Sequence, residues 1–131
     1  MSFLAIHHVA IICSDYGRSK HFYTKVLGFA VIAEAYRAER QSYKLDLAVA
    51  DGTQLELFSF PNPASRPSRP EACGLRHLAF AVADVEQKKA ELEQKGVVVE
   101  PIRVDEYTDK KFTFFADPDG LPLEIYEVGD L

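Results

Sequence analysis

The chain has 131 residues, 47% hydrophobic and 27% charged, an ordinary balance for a globular protein with one real core. Its net charge of −5 argues against nucleic acid and anionic membrane as partners, and no apolar run approaches the roughly 20 residues that a spanning helix needs. The N-terminal residues lack the basic and long apolar regions of a signal peptide, so the expected setting is the cytoplasm. Cys13 and Cys73 form no CxxC pattern and read as small buried apolar residues.

Taken in order, residues 6–12 are rich in β-branched side chains and predict a strand with His8, Ala10 and Ile12 on one face. Ser14-Asp15 offers a helix N-cap, and Ser19, Phe22, Tyr23, Val26 and Leu27 follow at helical spacing up to Gly28, a C-cap. Residues 29–35 read as a second strand, 36–42 as a polar turn and 43–50 as a third strand. Asp51-Gly52 reads as a hairpin turn, and 54–60 as a fourth strand with Gln54, Glu56 and Phe58 sharing a face. Residues 61–74 hold four of the seven prolines and predict a linker. Beyond it a strand is expected over 75–82 and a helix from an Asp84 cap, with Gln87 placed for a capping box. Strands over 97–103, 111–116 and 121–128 complete the chain, with a turn at residues 117–120.

The second half repeats the first. His8-Val9-Ala10 through Asp15 recurs as His77-Leu78-Ala79 through Asp84, a shift of 69 residues, and Leu55-Glu56-Leu57-Phe58 recurs as Leu123-Glu124-Ile125-Tyr126, a shift of 68. The expected architecture is α+β: a βαβββ module over 1–60, the linker over 61–74 and a second βαβββ module over 75–131, integrated into one domain. Strand alternation sends His8, His77, Glu56 and Glu124 away from the apolar, helix-packed faces, and the alanines beside the histidines leave a hollow. If the halves pack about a pseudo-two-fold axis, two imidazoles and two carboxylates surround one point. That donor set suits a divalent ion such as zinc, nickel, cobalt, manganese or ferrous iron. His7 and His21 do not share the pattern and read as structural or exposed. Phe58 and Tyr126 flank the glutamates as candidate pocket walls. Arg37, Lys44 and Arg69 are candidate substrate contacts for a carboxylate or phosphate. Arg66, Arg76, Lys110 and Lys111 share that chemistry, and Arg76, on the core-side face of its strand, is expected to snorkel or pair.

At these residues the sequence resembles the vicinal oxygen chelate superfamily, the glyoxalase and bleomycin-resistance fold. The motifs are His8-Val9-Ala10-Ile11 leading to Asp15; residues 22–29, FYTKVLGF; Gln54-Leu55-Glu56-Leu57; Gly74-Leu75-Arg76-His77-Leu78-Ala79-Phe80; and residues 117–125, DPDGLPLEI. The resemblance implies paired βαβββ modules with curved mixed sheets enclosing a metal, and His8, Glu56, His77 and Glu124 as its ligands. The full His/Glu/His/Glu set is similar to the glyoxalase I pattern. It implies nickel, zinc or cobalt, with manganese or iron as alternatives, and a glyoxalase I-like lyase or isomerase (a lactoylglutathione lyase). The methylglyoxal–glutathione hemithioacetal is the lead substrate. In that chemistry the metal chelates two adjacent substrate oxygens and stabilises an enediolate, while Glu124, or its equivalent Glu56, moves the proton. The Arg66/Arg69 loop departs from glyoxalase I and is more similar to a bacterial glyoxalase-like branch. The same resemblance leaves open a metal-dependent oxygenase or thiol transferase, and a non-catalytic small-molecule-binding or resistance protein. A small molecule is the expected partner, and a homodimer the expected state, with the site inside one chain or across two.

Overall fold

The computed structural model describes residues 1–129. It divides into two compact units, Met1–Ser65 and Arg66–Leu131, with the boundary inside the proline-rich segment. The second half of that segment belongs to the second unit for a physical reason. The Arg66 guanidinium donates to the Leu75 and Arg76 carbonyls, at 2.6 and 2.9 Å, and to Ser68 Oγ at 2.9 Å, tying the loop to the unit that follows it.

The first unit opens with strand β1 (His8–Cys13) and helix α1 (Tyr16–His21). Asp15 caps the helix by accepting from the Arg18 N–H. The single helix expected up to Leu27 instead changes gauge. Residues Phe22–Val26 form a π-helical turn, closed by Leu27 N–H donating to the Phe22 carbonyl five residues back. The wider turn keeps Phe22 and Tyr23 buried while Gly28, at φ 84°, ends the segment in the left-handed region. Strands β2 (Ala30–Arg37), β3 (Ser42–Ala48) and β4 (Gln54–Ser59) follow, with one short 3-10 turn at Ala38–Arg40. The sheet order is β1-β4-β3-β2, with β1 parallel to β4 and the other pairs antiparallel.

The second unit repeats this plan with β5 (Leu78–Val82), helix α2 (Val85–Gln94), β6 (Arg103–Val104), β7 (Lys111–Ala116) and β8 (Pro122–Glu127), in the order β5-β8-β7-β6. Asp84 caps α2 through the Gln87 N–H at 3.0 Å. The apolar run at Val97–Val99 does not become the strand its composition suggests. Only Arg103 and Val104 pair with β7, because Pro101 has no N–H for a ladder, and the chain before it is held instead by Glu100 N–H to the Phe114 carbonyl and by Thr113 Oγ1 donating to the Glu100 carbonyl. The result is two four-stranded mixed sheets in an α+β protein.

Each unit has its own core on one sheet face. In the first, Leu45, Leu47, Leu55 and Leu57 are fully or almost fully buried with Tyr23 and Cys13; in the second, Val85, Leu92, Leu123 and Ile125 are. Cys73, expected to be buried, is exposed, because it lies in the irregular loop before β5 rather than on a strand. Among the described residues no helix is long and apolar enough to cross a membrane.

Leu57 sits mid-strand and has no solvent exposure. Leu57→Ala is expected to cost about 3 kcal/mol, read as a lowered denaturant midpoint. At the rim of the first unit, Tyr16 Oη donates to Glu34, Lys20 pairs with the same carboxylate at 2.8 Å, and the Tyr16 ring stacks on Tyr43 at 4.2 Å. Lys20 and then Tyr16 hold the Glu34 carboxyl below the ordinary glutamate range, while burial and then Glu34 push the Tyr16 phenol up. A carboxylate with a depressed folded pKa adds stability above its unfolded pKa and loses it as pH falls through the folded one. Glu34→Gln is therefore expected to be less stable than the parent at neutral pH, and the gap should close in acid below the carboxylate range; a gap that persists unchanged there would refute the assignment.

Candidate functional site

The face of each sheet opposite its core carries the candidate residues. In β4, Leu55 and Leu57 turn to the core, so Glu56 turns the other way, between Ala10 of β1 and Asp46 of β3. In β8, Leu123 and Ile125 do the same, and Glu124 lies between Ala79 of β5 and Phe114 of β7. Both carboxylates are buried, at 9% and 8% exposure, although their strands' polar faces carry half-exposed neighbours. The alanine partners, Ala10 and Ala79, leave open space beside each carboxylate that a larger side chain would fill.

The structure brings each glutamate to the histidine of its own half. His77 Nε2 is 3.1 Å from Glu124 Oε1, and His8 Nδ1 is 3.6 Å from Glu56 Oε2. Two donors that share one ion at about 2.1 Å stand about 3 Å apart at a right angle, so the second-unit pair already has ligand spacing. Among the described residues no three His, Cys, Asp or Glu side chains form one group, and what is present is two repeat-related His–Glu pairs, one in each unit.

The chemistry of the pairs fits a divalent cation. A buried carboxylate needs hydrogen-bond donors or positive charge around it. Among the described residues no backbone N–H donates to Glu56 or Glu124. Among the described residues, apart from its histidine, Glu56 has only Lys44 Nζ in ion-pair range, at 3.9 Å, and Glu124 has no lysine or arginine. Two anionic carboxylates and two imidazoles are the hard-to-borderline donor set of zinc, nickel, cobalt or iron sites.

The two pairs differ in their surroundings. His77 meets Phe114 edge-on at 5.0 Å, and Phe114 in turn meets Phe112. His8 instead meets His7, with the two Nδ1 atoms 2.9 Å apart, so one of those nitrogens carries the shared proton. Alternation placed His7 on the opposite face from His8. The strand begins only at His8, so alternation does not set the His7 ring, although the His7 carbonyl still accepts from the Gln54 N–H at 3.0 Å. His7 and His21 are exposed, as expected.

Of the expected substrate contacts, Arg37 donates to Ser42 Oγ at 3.0 Å and lies over the Phe58 ring at 5.0 Å. Lys44 is 2.6 Å from Asp46 and 5.9 Å from the Phe58 ring centre. Phe58 stacks on Phe60, and Tyr126 stacks on Phe112 with its hydroxyl donating to Asp105 at 3.0 Å and hydrogen-bonded to Thr108. Arg76 pairs with Glu71 at 3.0 Å in the loop before β5, and so occupies no core-side strand position. Three residues of this face were missed: Asp46, Phe114 and Arg103, which lies over Phe112 and Phe114 at 5.1 and 5.5 Å. The signal for the first two was the hairpin register. Counting back from the Asp51-Gly52 and Asp119-Gly120 turns places Asp46 opposite Glu56 and Phe114 opposite Glu124.

With two modules of this topology and a His–Glu pair on the polar face of each, the chain belongs to the Glyoxalase/Bleomycin resistance protein/Dioxygenase superfamily, whose family model matches residues 5–125. It is 60% identical to YaeR of Escherichia coli (strain K12) over 122 residues, 93% of this chain and 95% of that one. It is 31% identical to a 2-epi-5-epi-valiolone epimerase of an Actinomyces species, over 93% of this chain and 78% of that protein. The crystal structure of a glyoxalase family protein from Enterococcus faecalis, 51% identical, superposes with a TM-score of 0.91 over 97% of this chain and all of that one.

Proposed function

We propose that the protein is a divalent-metal-dependent lyase or isomerase of the glyoxalase I type, acting on a small molecule with two adjacent oxygens. The methylglyoxal–glutathione hemithioacetal is the lead substrate. The observation that carries this reading is the repeated His–Glu pair, His8–Glu56 and His77–Glu124, with each glutamate buried on the face of its sheet away from the core. These four residues are the proposed ligands, and nickel, zinc or cobalt the proposed ion. A bound ion of this class supplies Lewis-acid polarisation of substrate oxygens.

The chain's own part is proton transfer. Glu124 takes the proton from the carbon beside the polarised oxygen and returns it to the neighbouring carbon. Glu124 is preferred over Glu56 because its strand neighbour is Phe114, whereas Glu56 stands beside Asp46 and within 3.9 Å of the Lys44 ammonium. Similarity to a protein named as an epimerase supports the same removal and return of a proton. We also propose a homodimer in which each site takes the His8–Glu56 pair from one copy and the His77–Glu124 pair from the other. The half-exposed apolar side chains of Ile12, Val31 and Ile32 in the first unit support self-association.

The test is elemental analysis joined to a glyoxalase assay on protein reloaded with nickel, cobalt or zinc. The expected outcome is about one ion per chain and S-lactoylglutathione formation that depends on it. Glu124→Gln should lower turnover roughly 10²–10⁴-fold while leaving the circular dichroism spectrum unchanged, and near-parental turnover would show that Glu124 is not the base. Mixing His8→Ala with His77→Ala after unfolding and refolding together should restore activity that neither has alone. No recovery from a mixed dimer would place each site within one copy.

A further inference from the structure

The second unit contains an open cleft of about 740 Å³, bordered by His77, Phe114 and the loop that runs from Arg66 to Arg76. Four arginines line it, Arg66, Arg69, Arg76 and Arg103, against two glutamates, Glu71 and Glu100. The lining is therefore positive by two charges in a chain whose net charge is −5. Three of the guanidinium groups have assigned work. Arg66 is spent on the Leu75 and Arg76 carbonyls, which fixes the loop as a preformed wall. Arg76 is paired with Glu71. Arg103 lies over Phe112 and Phe114 and bonds Glu100 at 3.2 Å. Arg69 makes no hydrogen bond or salt bridge with any described residue, and Glu71, a carboxylate whose charge it feels, is already paired with Arg76.

A planar fork of donors on a fixed wall, in a positive cleft that reaches a candidate ligand histidine, has the chemistry to receive an anionic oxygen group. Building on the metal-dependent reading above, we propose that this cleft holds the carboxylate or phosphate end of the substrate, and that Arg69 is the residue that reads it. The substrate class is then a vicinal-oxygen compound that carries an anionic tail beyond its reacting carbons. Arg37 and Lys44 do not fill this role, because each is already engaged with neighbours on its own sheet face.

The test uses the full chain, metal-free and metal-loaded, titrated separately with inorganic phosphate and with acetate while the arginine Nε–H and the backbone amides of residues 66–77 are followed by NMR. The expected result is saturable shifts at Arg69 and its loop, with an affinity lowered about tenfold in Arg69→Gln and unchanged in Arg40→Gln, a charge-matched control. The anion that responds names the tail, phosphate or carboxylate. Equal affinity in Arg69→Gln, or no saturable shift with either anion, overturns the proposal. Binding through Arg69 in a protein that takes up no ion on reloading would sustain the cleft and sink the metal reading, whereas ion uptake with no anion response at Arg69 would keep the metal reading and overturn the cleft.

Discussion

The polar face of this protein depends on a carboxylate buried in the middle of a strand. Glu56 and Glu124 each have leucine or isoleucine on both sides in sequence, and those apolar neighbours are locked into a core. A one-residue slip would bury the charge among leucines and expose the leucines to water, so register and site are specified together. Two carboxylates held away from water need hydrogen-bond donors or positive charge around them, and the histidines nearest to them, His8 at the start of β1 and His77 just before β5, stand within 3.6 and 3.1 Å. Alanine at positions 10 and 79 leaves the room they need.

Much of this was legible in the sequence because the two halves repeat. The shifts of 68 and 69 residues matched His8 with His77 and Glu56 with Glu124, and the period-2 alternation told which face each used. Strand β7 was bounded as expected at Lys111–Ala116, and both aspartate helix caps form. What failed did so where local chemistry overrode composition. Val97–Val99 looked like a strand, but Pro101 interrupts the ladder. Residues 22–26 looked like more α-helix, but burying Phe22 and Tyr23 together uses a π-turn. The Arg66 anchor was invisible because it pairs a side chain with carbonyls nine and ten residues away, a contact with no periodicity.

The proline-rich segment illustrates how a linker by composition becomes a wall by hydrogen bonding. Its prolines deny it a helix or a ladder, so other bonds must hold it, and Arg66 supplies two by donating to the Leu75 and Arg76 carbonyls just beyond it. That arrangement leaves the loop ordered without regular structure, and so able to present side chains such as Arg69 and Arg76 on a defined surface.

The duplicated halves have not kept equivalent neighbours. Where the first unit sets Asp46 and Lys44 beside its glutamate, the second sets Phe114 and Phe112 at the matching sheet positions. The two His–Glu pairs therefore match in their own donor atoms and differ in their surroundings, a carboxylate and an ammonium in one unit and aromatic rings in the other. A ligand with a charged end and an apolar end would be met differently by the two pairs, the charged end suiting the lysine-bearing sheet and the apolar end the phenylalanine-bearing one. Divergence between the halves would in this way give one repeated pair two different chemical preferences.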